Sequence, residues 1–115
     1  MYKLKQRGHN MTQVAVIHTA FEDTQRTVAL VEVGERTGTD ALEYAYRWTQ
    51  NIMDSWSLKM EQDGNDDVTV MAELPVSKRT GQRMGLRSTS VGDQMLLGTK
   101  KYRVANFGFK EVDFA

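Results

Sequence analysis

Two short runs rich in β-branched residues, Gln13–Thr19 (QVAVIHT) and Thr27–Val33 (TVALVEV), constrain this chain more than any other feature in it. Val14 and Val16 alternate with Ala15 and Ile17, so a pleated strand here carries apolar groups on both faces. Such a strand belongs inside a sheet that is covered on each side. The polar segment Glu22–Arg26 connects the runs, and strands this close in sequence pair most simply as an antiparallel hairpin.

Gly34–Gly38 (GERTG) breaks the pattern, and a helix is predicted over about residues 40–52. Asp40 suits the N-cap, and Glu43 three positions later completes a capping box. Leu42, Ala45, Thr49 and Ile52 fall at helical spacing with Tyr46 alongside, while Tyr44 and Trp48 form an i,i+4 pair on an adjacent face. The aromatic face is expected to pack on the sheet, with Tyr44 and Trp48 as a secondary candidate binding surface. Trp56, Leu58 and Met60 then alternate as a strand would. Across the polar loop EQDGNDD they face a second run, Val68–Leu74, to make a second hairpin that Pro75 ends. Gln94–Leu97 and Tyr102–Phe107 read as strands joined by a turn over Gly98–Lys101.

The expected fold is therefore α+β: a mainly antiparallel, bent sheet of about six strands with one packed helix. A chain of 115 residues that is 40% hydrophobic supports one core and leaves no room for two ordinary domains. The first ten residues are polar and non-periodic, so the expected division is a flexible tail over 1–10 and one domain over 11–115. Met1 and Met11 both stand as candidate starts. Gln6-Arg7-Gly8 back-translates to a purine-rich stretch like a ribosome-binding site, at a suitable distance before Met11.

Composition narrows the function classes. Fifteen Lys plus Arg balance fifteen Asp plus Glu, which argues against a general nucleic-acid binder. There is no cysteine, hence no disulfide, no thiolate nucleophile and no Cys-based zinc site. MYKLKQRGHN lacks the apolar run of a signal peptide, and no stretch approaches a membrane span, so cytoplasmic residence is expected.

Asp63, Asn65 and Asp67 alternate like the start of a calcium loop, but Val68 stands where glycine is needed and Leu74 where the bidentate glutamate belongs. The loop is expected to be an exposed, charged hairpin tip, and no metal or cofactor is expected anywhere. Of two histidines, only His18 lies in the domain, and no spacing links it to Ser88 or Ser90 as the base of a hydrolase. The loop holding Gly81 and Gly85 lacks the GK[ST] ending of a phosphate cradle.

Charge placement is more informative. From Asp54 to Glu73 the charges are acidic apart from Lys59, and from Lys78 to Arg103 they are basic apart from Asp93. Either the two regions pair with each other, or the basic one meets a ligand or partner. Lys78, Arg79, Arg83, Arg87, Ser88, Ser90 and Asp93 are the candidate binding residues on the second view.

The end of the chain carries a resemblance. Arg87-Ser88-Thr89-Ser90-Val91-Gly92-Asp93, an apolar strand, and Tyr102-Arg103-Val104-Ala105-Asn106-Phe107-Gly108-Phe109 resemble a C-terminal module of small phage and mobile-element proteins. The module is similar to the end of YodL-like domains found near antirestriction genes. The helix stretch Ala-Tyr-Arg-Trp-Thr-Gln-Asn and Asp-Ser-Trp-Ser have the same phage-like look. The resemblance brings no catalytic residue with it. It implies a non-enzymatic phage accessory protein that binds and blocks a host defence or metabolic protein in the host cytoplasm. The alternatives are a binder that sequesters an anionic nucleotide on the Arg/Lys loop and a Ser/His hydrolase, with a homo-oligomer left open.

Overall fold

The computed structural model describes residues 12–114. The expected tail over 1–10 lies outside them. Six strands form one sheet: β1 Thr12–His18, β2 Arg26–Gly34, β3 Val68–Val70, β4 Gln94–Leu97, β5 Lys100–Val104 and β6 Phe109–Val112. Their order is β3-β2-β1-β4-β5-β6, and every neighbouring pair is antiparallel. Among the described residues there is one helix, α1, over Gly38–Arg47. The α+β expectation with six strands holds, and the paired runs QVAVIHT and TVALVEV occupy the middle of the sheet as their two-faced apolarity requires.

In β1, Val14 and Val16 are fully buried, and across the β1–β2 ladder the register shifts between Val16 and Ile17. The shift leaves Val28 as the extra residue of a bulge, which is how the consecutive Val28 and Ala29 both reach the core. Helix α1 lays Ala41, Leu42 and Ala45 on this core, and Tyr46 meets Phe109 edge-on at 6.1 Å.

The helix differs from its predicted bounds at both ends. It begins at Gly38 behind an extended Thr37, so Asp40 sits in the first turn, where its charge favours the helix dipole, and no side-chain cap bond forms. It ends at Arg47 because the chain beyond is tied elsewhere. Thr49 Oγ1 donates to the Ala45 carbonyl, Thr89 N–H donates to the Thr49 carbonyl, and Asn51 N–H donates to Ser88 Oγ.

Trp56–Met60 is a turn and not the predicted strand. Lys59 N–H donates to the Trp56 carbonyl and Met60 N–H to that of Ser55, so these groups bond locally and leave no ladder for a partner. Trp56 is fully buried, its N–H held by Asn51 Oδ1 and its indole by the Arg87 carbonyl at 3.0 Å. Val68–Val70 pairs with β2 instead, shorter than the predicted Val68–Leu74. The last pair in the C-terminal hairpin, β6, completes the six; the predicted Tyr102–Phe107 strand starts earlier and stops at Val104 because residues 105–108 form the turn, with Ala105 N–H bonded to the Gly108 carbonyl.

Candidate functional site

The predicted basic cluster divides in two. Lys78, Arg79 and Arg83 lie exposed on a small hairpin, and Arg87 does not belong with them. Val76 bridges Arg83, Ser77 N–H donates to the Gln82 carbonyl at 2.9 Å, and Met84 N–H donates to the Pro75 carbonyl at 2.8 Å. Gly81 turns the tip at φ +75°, a conformation that favours glycine. Ser77 Oγ accepts the N–H groups of Arg79 and Thr80, and Thr80 Oγ1 accepts that of Gln82. The tip's own oxygens thus occupy these amides, and no set of free N–H groups converges on a phosphate there.

Beside the hairpin lies a groove of about 620 Å³ lined by residues 70–74 together with Ser57, Val76 and Arg83. Along residues 70–74 burial alternates, Val70, Ala72 and Leu74 turned toward the core and Met71 and Glu73 outward. Met71, Val76 and Met84 are about half exposed, giving the basic hairpin an apolar border. No ion pair among the described residues holds Lys78, Arg79 or Arg83, and none joins the acidic stretch 54–73 to the basic stretch 78–103. The expectation that the two stretches pair with each other is therefore corrected.

Arg87, Ser88, Ser90 and Asp93 are brought together elsewhere, as a structural joint. Asp93 is fully buried, and its carboxylate accepts the N–H groups of Thr19, Ala20 and Ser90 as well as both Arg87 Nη atoms. Burial alone would raise its pKa; the guanidinium and the three N–H donors outweigh burial and hold the carboxyl below its ordinary range. Arg87 also pairs with Glu22 at 3.2 Å, so this guanidinium is committed inside the fold. Ser88 Oγ accepts Asn51 N–H and Ser90 Oγ donates to the Ser88 carbonyl.

His18 is fully buried and bonds neither serine. Its Nε2 lies 3.0 Å from Thr89 Oγ1, which donates its own proton to Thr49 Oγ1 at 2.8 Å. Thr89 must then accept from His18, which fixes the Nε2–H tautomer and leaves Nδ1 buried without a partner. Burial drives the His18 pKa down to about 4 against the upward pull of Asp93.

The acidic loop is also not the exposed tip expected. Asp63 is buried, and its Oδ2 accepts the N–H groups of Ile52, Met53 and Asp54 within 2.8 Å, while the Asp54 carboxylate accepts those of Gln62 and Asp63. These bonds, with burial opposing them and Arg47 assisting, hold the Asp63 carboxyl below its usual range. Among the described residues no group of three His, Asp or Glu side chains is placed to hold a metal ion. Tyr44 and Trp48 lie edge to face at 6.4 Å, with Tyr44 Oη donating to Asp67 at 2.5 Å. Trp48 is half-buried with Arg47 over its ring at 4.1 Å, so it is the lesser aromatic anchor beside Trp56.

The sequence reading places Val70, Ala72 and Leu74 within a strand and Val76 just past its end, and marks none of the four as a groove residue. Their signal was the pairing of Met71 and Met84, large apolar residues, with a run of cations around one proline. Among the described residues no helix is long and apolar enough to cross a membrane. Compared with protein-family models, curated proteins and solved structures, the chain has no significant match in any of the three.

Proposed function

We propose that this chain is a non-enzymatic binding protein that docks an acidic surface of a partner protein on the hairpin of Lys78, Arg79 and Arg83 and blocks that partner. The observation that carries the reading is three exposed cations on one hairpin, none held in an ion pair among the described residues, next to a groove lined in part by Val70, Ala72, Leu74 and Val76. Charges left unpaired around exposed apolar surface favour a complementary partner through steering and specificity. In the setting implied by the resemblance to phage proteins, the partner is a host protein and the site of action is the host cytoplasm. Sequestration of an anionic nucleotide is the weaker reading, because the tip's amides are occupied by Ser77 and Thr80 oxygens.

The test is quantitative capture from bacterial lysate by the wild type and by Lys78→Glu/Arg79→Glu/Arg83→Glu side by side, with mass spectrometry of proteins and of small molecules. The reading expects an acidic protein retained by the first and lost by the second. It is overturned if both retain the same proteins, or if the wild type elutes a nucleotide that the variant lacks.

A further inference from the structure

The outer edge of β3 is closed at one end and open at the other. In the β2–β3 ladder Val68 faces Val31 and Val70 faces Ala29, while Glu32 N–H bonds to the Asp67 carbonyl and Met71 N–H to that of Val28. These two bonds make Val68 and Val70 the non-hydrogen-bonded positions, so their own N–H and C=O groups point away from β2. At Val68 the chain satisfies both: its N–H donates to the Asn65 carbonyl at 3.0 Å, and the Lys59 ammonium, reached from a left-handed backbone at φ 57°, donates to its carbonyl. At Val70 no described residue supplies a partner for either group; beyond it the chain bends at Ala72, and among the described residues no backbone bond engages Ala72, Glu73 or Leu74, which line the groove.

We propose that the site takes its partner as an extended acidic segment that adds to β3 as a seventh strand along Val70–Leu74. The inference rests on the reading of the basic hairpin given above and names the form of the partner. Main-chain bonds to an open edge supply affinity, and side chains alternating into a groove supply selectivity. Charge sets its direction. Arg83 and Glu73 both line the groove, and Lys78 and Arg79 share the hairpin with Arg83, so cations outnumber the carboxylate there, whereas the loop holding Glu61 and Asp66 lies toward the Lys59 end; the carboxylates of the segment belong over the hairpin. The edge of β6, at the other side of the sheet, bears Lys110 and Glu111 side by side, the mixed charge that discourages strand addition.

The probe is a labelled ten-residue peptide alternating valine and glutamate, titrated onto the full chain at low salt. The wild type is expected to bind it, and the amides of Val70 and Ala72 are expected to slow in hydrogen exchange by about tenfold or more when it is bound. Val70→Pro removes the outward N–H and leaves the ladder bonds of Thr69 and Met71 in place, so it is expected to weaken binding at least about tenfold with the fold kept. Should that variant fail to fold, protection at Val70 and Ala72 in the wild type decides alone. Binding that survives Val70→Pro without protecting these amides, yet is lost in the triple hairpin reversal, overturns strand addition and leaves the hairpin reading standing. Binding unaffected by the triple reversal overturns both, and no binding by the wild type overturns strand addition.

Discussion

Arg87 grips Asp93 with both arms of its guanidinium, Nη1 2.8 Å from Oδ2 and Nη2 3.0 Å from Oδ1, and so ties the segment after the basic hairpin to the residue that precedes β4. The same carboxylate receives the N–H groups of Thr19 and Ala20, while Arg87 reaches the Ala20 carbonyl and Glu22. One ion pair therefore fastens the β1–β2 connection to the strand that enters β4.

Asp93→Ala is expected to destabilise the fold by about 3 kcal/mol or more, because it leaves a guanidinium and three N–H groups without their acceptor. Arg83→Glu, on the exposed hairpin, is expected to stay within about 0.5 kcal/mol of the wild type. Urea denaturation of both variants checks the contrast, and equal stabilities would sink the division of the basic cluster.

Acid should unfold the chain through His18 first. Its folded pKa of about 4 lies below the ordinary 6.5, so between these values the unfolded state binds the extra proton. The stability tied to neutral His18 is complete above pH 6.5 and is lost as pH falls toward 4, by about 3 kcal/mol at the lower limit. Asp93, held below its ordinary 3.8, adds a further loss only at still lower pH. His18→Gln keeps an N–H donor and removes the titration, so its stability should be flat from pH 6.5 to 4. A variant that follows the wild-type slope would assign the effect to other groups.

Trp56→Ala is expected to cost about 3–5 kcal/mol, the range for removing a fully buried large side chain. Its indole is 0% exposed and also satisfies the Arg87 carbonyl. Trp48→Ala should cost well under that, since the ring is half-buried on the helix end. Thermal melts of the pair test the ranking.

Asp63→Ala should release the turn over residues 52–54. The amides of Ile52, Met53 and Asp54 lose their common acceptor and are expected to exchange about tenfold faster, while those of β1 and β2 hold. Unchanged exchange at Ile52–Asp54 would show that the backbone there is held by other bonds.

The parts of the fold legible in the sequence are those set by neighbours a few residues apart. The β1–β2 and β4–β5 hairpins follow from alternating apolar runs and short turns, and α1 follows from Ala41, Leu42 and Ala45 at helical spacing. Trp56–Met60 misled because alternation alone does not supply a partner strand, and the chain there bonds to itself.

Within the candidate site the sequence by itself determined that cations gather between Lys78 and Arg87 around glycines, and tertiary structure alone decided which of them are free. Arg87 lies four residues from Arg83, yet its partners Ala20 and Glu22 are more than sixty positions away. Likewise nothing local to Asp63 marks it as the acceptor for three backbone amides, and nothing local to Val70 marks its N–H and C=O as the open edge. The reason is physical. Apolar periodicity is a property of consecutive side chains and survives in a linear text, whereas the fate of a charge or a backbone polar group depends on which distant donor or acceptor the folded chain brings within about 3 Å.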